Sequence, residues 1–296
     1  MKRAPGIILL ACISVWLYSC DKFSVGELTT DDSKSVDQPF QVVEFRDDVN
    51  ATLLHADPTH PAGTIIITTG ANLIDNINTE ICEFIDINDT YGDTITFNKL
   101  IIKNENTLNY LHSYNYNIEA TIYYDTLYQL IFHSNARHIS TDTLKGYNYM
   151  TQFSQDTVLW DSLAPRLLLD VEGGSGNFDI ITDCYRVVTK HIHGTADITL
   201  KGKTSIASTY ADFDCHGIID SKDLYSHIHY VNSSSTNKVI VKAYYLLSAK
   251  NDNVGQIEYV DFKTQLTTIH GDTIIRSPQI KDFRGIYKNN IIPYKD

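Results

Sequence analysis

The sequence predicts an all-β protein wound as a single elongated β-solenoid (β-helix-like), with rungs of about 18–21 residues. Two observations carry this reading. A phrase of small polar residues followed by a β-branched strand recurs between Gly173 and Val260. Its anchors are Ile180, Ile198, Ile219, Val239 and Ile257, spaced by 18, 21, 20 and 18 residues. A second strand-like piece follows each of the first four anchors: Arg186-Val187-Val188, Ser205-Ile206-Ala207, His227-Ile228-His229 and Leu246-Leu247-Ser248. Self-similarity at such a period marks stacked repeats, each of which buries its inner face only against its neighbours. Gly, Asn, Asp and Ser gather at the corners, where they tolerate left-handed or bulged backbone. The alternative is an antiparallel β-sandwich with evenly spaced turns.

Three segments follow in order. Residues 1–19 read as a lipoprotein signal peptide: Met1-Lys2-Arg3 is a basic head, and Gly6 to Leu17 is an apolar stretch too short to span a bilayer. Leu17-Tyr18-Ser19-Cys20 has the form of a bacterial lipobox, so Cys20 becomes the lipidated first residue. Residues 20–39 are polar, without periodic apolar positions, and read as a tether. Residues 40–296 read as one β domain, in which short β-branched or aromatic runs such as Ile65-Ile66-Ile67 and Leu130-Ile131-Phe132 alternate with turn residues.

Composition narrows the partners. The formal charge is −12, and loss of Lys2 and Arg3, two positive charges, takes it to −14. Nucleic acid and anionic membrane surfaces are therefore disfavoured, leaving lipid as the membrane attachment. The 19 tyrosines suit strand faces and carbohydrate or protein contacts alike. Beyond Cys12 and Cys20 remain Cys82, Cys184 and Cys215, an odd number. A bridge between Cys184 and Cys215 stays open, but free buried thiols are expected.

The segments Gly70-Ala71-Asn72-Leu73-Ile74-Asp75-Asn76-Ile77 and Leu127-Tyr128-Gln129-Leu130-Ile131-Phe132, with the series from Gly174 to Tyr259, resemble the putative auto-transporter adhesin, head GIN domain family. The resemblance covers roughly residues 40 to 262. The family's Gly-Ser-Gly-Asp-Ile phrase is recognisable in Gly174-Ser175-Gly176-Asn177-Phe178-Asp179-Ile180 and in Gly194-Thr195-Ala196-Asp197-Ile198. Later copies depart from it: Tyr210-Ala211 stands where the family has glycine, and Ser233 to Asn237 contains none. The resemblance implies a β-helical envelope protein, often a lipoprotein, with an adhesin role and no catalytic residues to carry over.

Few residues point to site chemistry. His191-Ile192-His193 and His227-Ile228-His229 repeat a His-x-His pattern; with the isoleucines inward, all four imidazoles face outward. Stacking separates the pairs by roughly 9 to 10 Å, too far for one zinc ion, so His191, His193, His227 and His229 are weak metal candidates and no metal or cofactor is expected. Asp179, Asp197, Asp212, Asp214, Asp220 and Asp223 read as turn formers, because calcium rolls repeat every nine residues. Six Asp-Thr/Ser-aliphatic triplets resemble an O-glycosylation sequon with acceptors Thr94, Thr126, Thr143, Thr157, Ser162 and Thr273; turn formation explains them equally well. Lys and Arg are unclustered, and no Ser/His/Asp or Cys/His arrangement stands out, so the chain is not read as an enzyme. The function expected is a non-catalytic, adhesin-like lipoprotein of the bacterial envelope, held on the outer membrane and binding a glycan or protein. A structural envelope protein or a glycan-degrading β-helix enzyme is the alternative.

Overall fold

The computed structural model describes residues 30–35, 39–46, 49–69, 77–88, 93–104, 118–133, 138–146, 166–261, 266–269, 272–275 and 279–295. Strands dominate them, and the sole helical piece among the described residues is a 3-10 turn at Lys288–Asn290. In chain order the first ten strands are β1 (Thr30–Ser35), β2 (Val42–Arg46), β3 (Val49–His55), β4 (Thr64–Thr69), β5 (Ile77–Asn88), β6 (Asp93–Asn104), β7 (Ile118–Tyr124), β8 (Gln129–Phe132), β9 (His138–Leu144) and β10 (Arg166–Val171). The remaining ten are β11 (Asn177–Gly194), β12 (Asp197–Cys215), β13 (Ile219–Ser233), β14 (Lys238–Val241), β15 (Leu246–Asn251), β16 (Gln256–Tyr259), β17 (Leu266–Ile269), β18 (Asp272–Ile275), β19 (Ile280–Arg284) and β20 (Ile291–Pro293). All but the β17–β18 hairpin join one 18-stranded sheet.

The repeat seen in the sequence appears as backbone pairing. Strands β11, β12 and β13 alternate buried and exposed residues, as a half-buried strand must. Near Tyr185-Arg186, Ser205-Ile206 and His227-Ile228 two successive residues leave the core, so the alternation changes phase. Before that point one parallel ladder runs Phe178, Ile198, Ile219, Val239, Ile257 and Ile291. After it a second runs Arg166, Arg186, Ile206, Ile228, Leu246 and Ile280. Two strand pieces per repeat are therefore present. The first ladder starts at Phe178 rather than Ile180, whose partner is Leu200. Both residues face inward and both are apolar, which is why the periodic count selected the wrong one of the two.

Parallel pairing excludes the antiparallel sandwich for these repeats. Antiparallel pairs occur near the amino-terminal end, where β4 pairs with β1 and β7, and β5 with β6. Strand β1 falls inside the polar stretch read above as a tether, and there the backbone is hydrogen-bonded to Thr64–Thr69. Main-chain donors and acceptors need no apolar pattern to pair, so composition gave no sign of it.

The order of the layers also departs from a simple coil. Strand β2 lies between β6 and β8, and β3 lies between β7 and β9, all parallel. The segment Val42–His55 is thus inserted between two layers that come later in the chain.

One core runs the length of the sheet, from Phe40 to Ile291. In-register stacking puts Phe45 on Phe132 at 5.6 Å, and Phe178, which is out of register with Phe132, packs against that ring at 4.4 Å. Close stacking also fixes glycines. A Cβ on Gly217 would come within 1.7 Å of the Ala196 carbonyl oxygen, and one on Gly202, at φ 99°, within 2.1 Å of Thr182 O.

Gly202→Ala is expected to cost about 2 kcal/mol or more, because it combines left-handed strain with a clash against backbone of the next layer. Urea unfolding of that variant beside Ser205→Ala, which sits on the exposed corner, checks this. Equal midpoints for the two would refute the packing account.

Candidate functional surface

Strand alternation that buries one set of side chains presents the other to solvent. On β11–β13 and at the start of β15 this outer set includes Tyr185, Tyr210, Tyr225, Tyr230 and Tyr245, each about two-fifths exposed. Two shallow clefts lie among them. The smaller, about 310 Å³, is bordered by Lys190, Tyr210, Asp212, Asn232 and Ser234. Its rim follows from a register break: Ile192 alone stands opposite both Asp212 and Phe213, and Phe213 is pushed out to 61% exposure. The larger, about 650 Å³, lies at the corner where the two ladders join and is bordered by Tyr185, Tyr225, Lys145, Lys203, Thr126 and Ser205. Beyond it the corner continues as ring pairs, Tyr225 with Tyr244 at 3.9 Å and His227 with Tyr245 at 5.1 Å.

The histidines correct the outward expectation. His193 and His227 are exposed, but His191 and His229 are buried. The phase change at His227-Ile228 makes Ser226 and His229 both inward, and the register break after His191 separates it from His193. His229 shares hydrogen bonds with Thr209 Oγ1 at 2.9 Å and, through Nδ1, the Lys242 carbonyl at 3.4 Å. Burial drives its pKa down to about 4, against a weaker upward pull from the Lys242 carbonyl. The described residues contain no group of three or more metal-ligating side chains that could hold an ion.

Sequence reading missed one pairing. Cys215 Sγ lies 2.8 Å from His191 Nδ1, a Cys/His contact made by the parallel register that sets Cys215 opposite Gly194. No local motif encodes it. Burial pushes the thiol up to about 11, against hydrogen bonds with Ser235 and Gly217, and pushes the imidazole down to about 4, so burial favours the neutral form of each. Cys184 and Cys215 are both free and buried, as expected. Cys82 lies outside the residues whose side chains are described.

Carboxylates serve the scaffold. Asp220 Oδ1 accepts from Lys222 N at 3.0 Å and Asp212 Oδ1 from Phe213 N at 2.7 Å, local contacts like those of a turn but made within β13 and β12, while Asp197 Oδ1 accepts from Ile218 N at 2.7 Å on the neighbouring repeat. Buried Glu44 meets Arg46, Lys99 Nζ at 2.6 Å and His133 Nε2 at 2.9 Å. Burial alone would raise its pKa, but hydrogen bonds from Lys99 and Arg46 hold it below the usual carboxylate range. Of the proposed sugar acceptors, Thr143 is exposed and Thr126 half-buried at the larger cleft. Thr94 and Thr273 sit on β6 and β18, with side chains outside the described set. Thr157, Ser162 and Cys20 lie outside the described residues altogether.

Fold and surface together define a repetitive, all-β protein whose outer face offers tyrosines and shallow polar clefts. Among the described residues no helix is long and apolar enough to cross a membrane. The chain belongs to the family described as "Putative auto-transporter adhesin, head GIN domain", whose model matches residues 39–261. It is similar in fold to a crystal structure described as a putative adhesin from Bacteroides fragilis NCTC 9343, at 16% identity and a TM-score of 0.55, over 89% of this chain and 94% of that one. A putative lipid binding protein from Parabacteroides distasonis ATCC 8503 also matches at 16% identity, over 91% of this chain and 98% of that one, with a TM-score of 0.46. No curated protein matches the chain. The family and the Bacteroides fragilis structure are both described as putative adhesins.

The two buried histidines make stability depend on pH. Their folded pKa of about 4 lies below the ordinary 6.5, so the unfolded chain takes up protons first as pH falls. Stability is full above pH 6.5 and declines toward pH 4, by roughly 3 kcal/mol per histidine. Urea midpoints across that range, with His229→Leu reducing the slope, test this; a flat profile between pH 6.5 and 4.5 would rule it out.

Proposed function

We propose that this chain is a non-catalytic, lipid-anchored protein of the bacterial envelope, on the outer membrane, that presents an extended β surface to a glycan or protein ligand. The observation that carries the reading is the outer face of β11–β13: tyrosines ringed by polar groups, on a chain of an adhesin family. Aromatic rings with a polar tip give contact area at low entropic cost and are enriched where proteins bind partners. We read the two ladders as walls of one β-solenoid. In support, β11, β12 and β13 each contribute to both ladders through one bend, and both ladders bury their inner faces in the same core.

The anchor rests on Cys20 in its lipobox-like setting, after the apolar stretch Gly6 to Leu17. O-glycosylation at the Asp-Thr/Ser triplets is a further part of the proposal, and Thr143 is the acceptor best presented. Against it, Asp142 already accepts from Tyr124 and from His55 N within the scaffold.

Labelled fatty acid is expected to enter the wild-type chain and the membrane fraction, and neither is expected for Cys20→Ala. An unlabelled wild-type chain would remove the anchor. Intact mass of native protein is expected to carry sugar increments, and a bare polypeptide mass removes the glycosylation. On a glycan array with parallel turnover assays, binding without turnover is expected; turnover would overturn the non-catalytic reading.

A further inference from the structure

The larger cleft is built by the ladder register. Asp183, Lys203 and Tyr225 are aligned on β11, β12 and β13. Tyr185, between the paired positions Cys184–Thr204 and Arg186–Ile206, stands opposite Ser205. The two tyrosines thus rise on a diagonal, two strands and two residues apart, roughly 12 Å, with the exposed Ser205 and Lys203 on the strand between them. The small Ser205 beside Tyr185 leaves an open slot between the two rings. Its sides are polar: Thr126 and Ser205 bring hydroxyls, and Lys145 enters from the end of β9.

The charges in the slot are asymmetric. Lys203 is paired with Asp183 at 3.1 Å. Lys145 is exposed and has no ion pair among the described residues, so the slot carries one uncompensated cation in a chain of net charge −12. Strand addition by a peptide is closed here, because the backbone of β12 is already paired on both sides with β11 and β13. Recognition must come from side chains: ring faces, hydroxyls and one ammonium.

We propose that this cleft binds a carboxylate-bearing sugar, its ring between Tyr185 and Tyr225 and its carboxylate on Lys145. A sugar ring has apolar C–H faces for the tyrosines and equatorial hydroxyls for Ser205 and Thr126, and a carboxylate supplies the missing anion. The inference rests on the reading of the chain as a binding module and names the ligand class of one site.

The test titrates the full-length chain with tri-galacturonate and with its methyl ester, which removes the charge and keeps the sugar rings, and with 3′-sialyllactose against its sialic-acid methyl ester. Calorimetry and saturation-transfer NMR provide the readouts. At least one acidic probe is expected to bind about tenfold or more tighter than its neutral twin, and added salt weakens it. Lys145→Gln erases that preference, Tyr225→Ala weakens binding of both twins, and Lys250→Gln, on the strand beyond β13, changes nothing. Each variant's melting curve is compared with wild type, since Lys145 and Tyr225 are exposed and their loss leaves the core intact. Equal affinity for charged and neutral twins overturns the proposal, as does binding that ignores both cleft variants or no binding by any sugar. Sugar binding that ignores the cleft variants leaves the adhesin-like reading standing, so the two failures are told apart.

Discussion

The repetitive region from β10 to β16 depends on parallel strands held in register about twenty residues apart. Each strand spends its backbone hydrogen bonds on the layers above and below it, so no layer is complete by itself. Register then dictates side chains: residues at the same step pile into columns that face either the core or the solvent. The ladder Phe178–Ile198–Ile219–Val239–Ile257 is one such column within the core. The Asp183–Lys203–Tyr225 row is another, on the outside. Gly202 and Gly217 lack side chains because the neighbouring layer's carbonyls occupy the space where a Cβ would sit.

The same rule explains how so polar an interior is stable. Ser221 donates to Ile240 O, Ser235 to Cys215 O, and Asn251 Nδ2 to Gly255 O, so these buried hydroxyl and amide groups are satisfied by main-chain carbonyls, whereas Thr189 Oγ1, Gln129 Oε1 and Gln279 Oε1 have no such partner among the described residues. A buried polar group with its hydrogen bond made is tolerable, whereas an unmade one costs on the order of 1–3 kcal/mol. His229 belongs to this class. It fills a column position shared with Val187, Ala207 and Leu247 and stays neutral because burial leaves no solvent for an added charge. Glu44 represents the opposite solution, a buried charge surrounded by cations.

Much of the fold was legible in the sequence, and the reason is physical. A period near twenty survives in the anchors because every layer must present an apolar residue at the same step. What could not be read are contacts between residues that share no period. The Cys215–His191 pair depends on a register break at the end of β11, and the inward turn of His229 depends on a phase change two residues earlier. Alternation alone predicted both histidine pairs to lie on one face, and a bent strand has two phases. The larger cleft was likewise hidden: Lys145, Tyr185, Ser205 and Tyr225 are spread over eighty residues of sequence and meet only through stacking. The apparent sugar sequons are ambiguous for a related reason: Asp142 accepts from His55 N and from Tyr124, contacts that only the fold brings together.

The insertion of Val42–His55 between later layers bears on how the chain assembles. From β10 to β16 each strand seats itself on one made a few tens of residues earlier, and such local contacts close quickly. β2 and β3 have no such neighbour when they are synthesised. They must wait for β6 to β9, up to about ninety residues downstream, before both edges are met. Assembly therefore cannot march from the amino terminus; the repetitive middle is the natural nucleus, and the first strands made are bound on both edges only afterwards. Until then an apolar segment containing Val42, Val43, Phe45 and Leu53, buried in the finished protein, stays open to other chains.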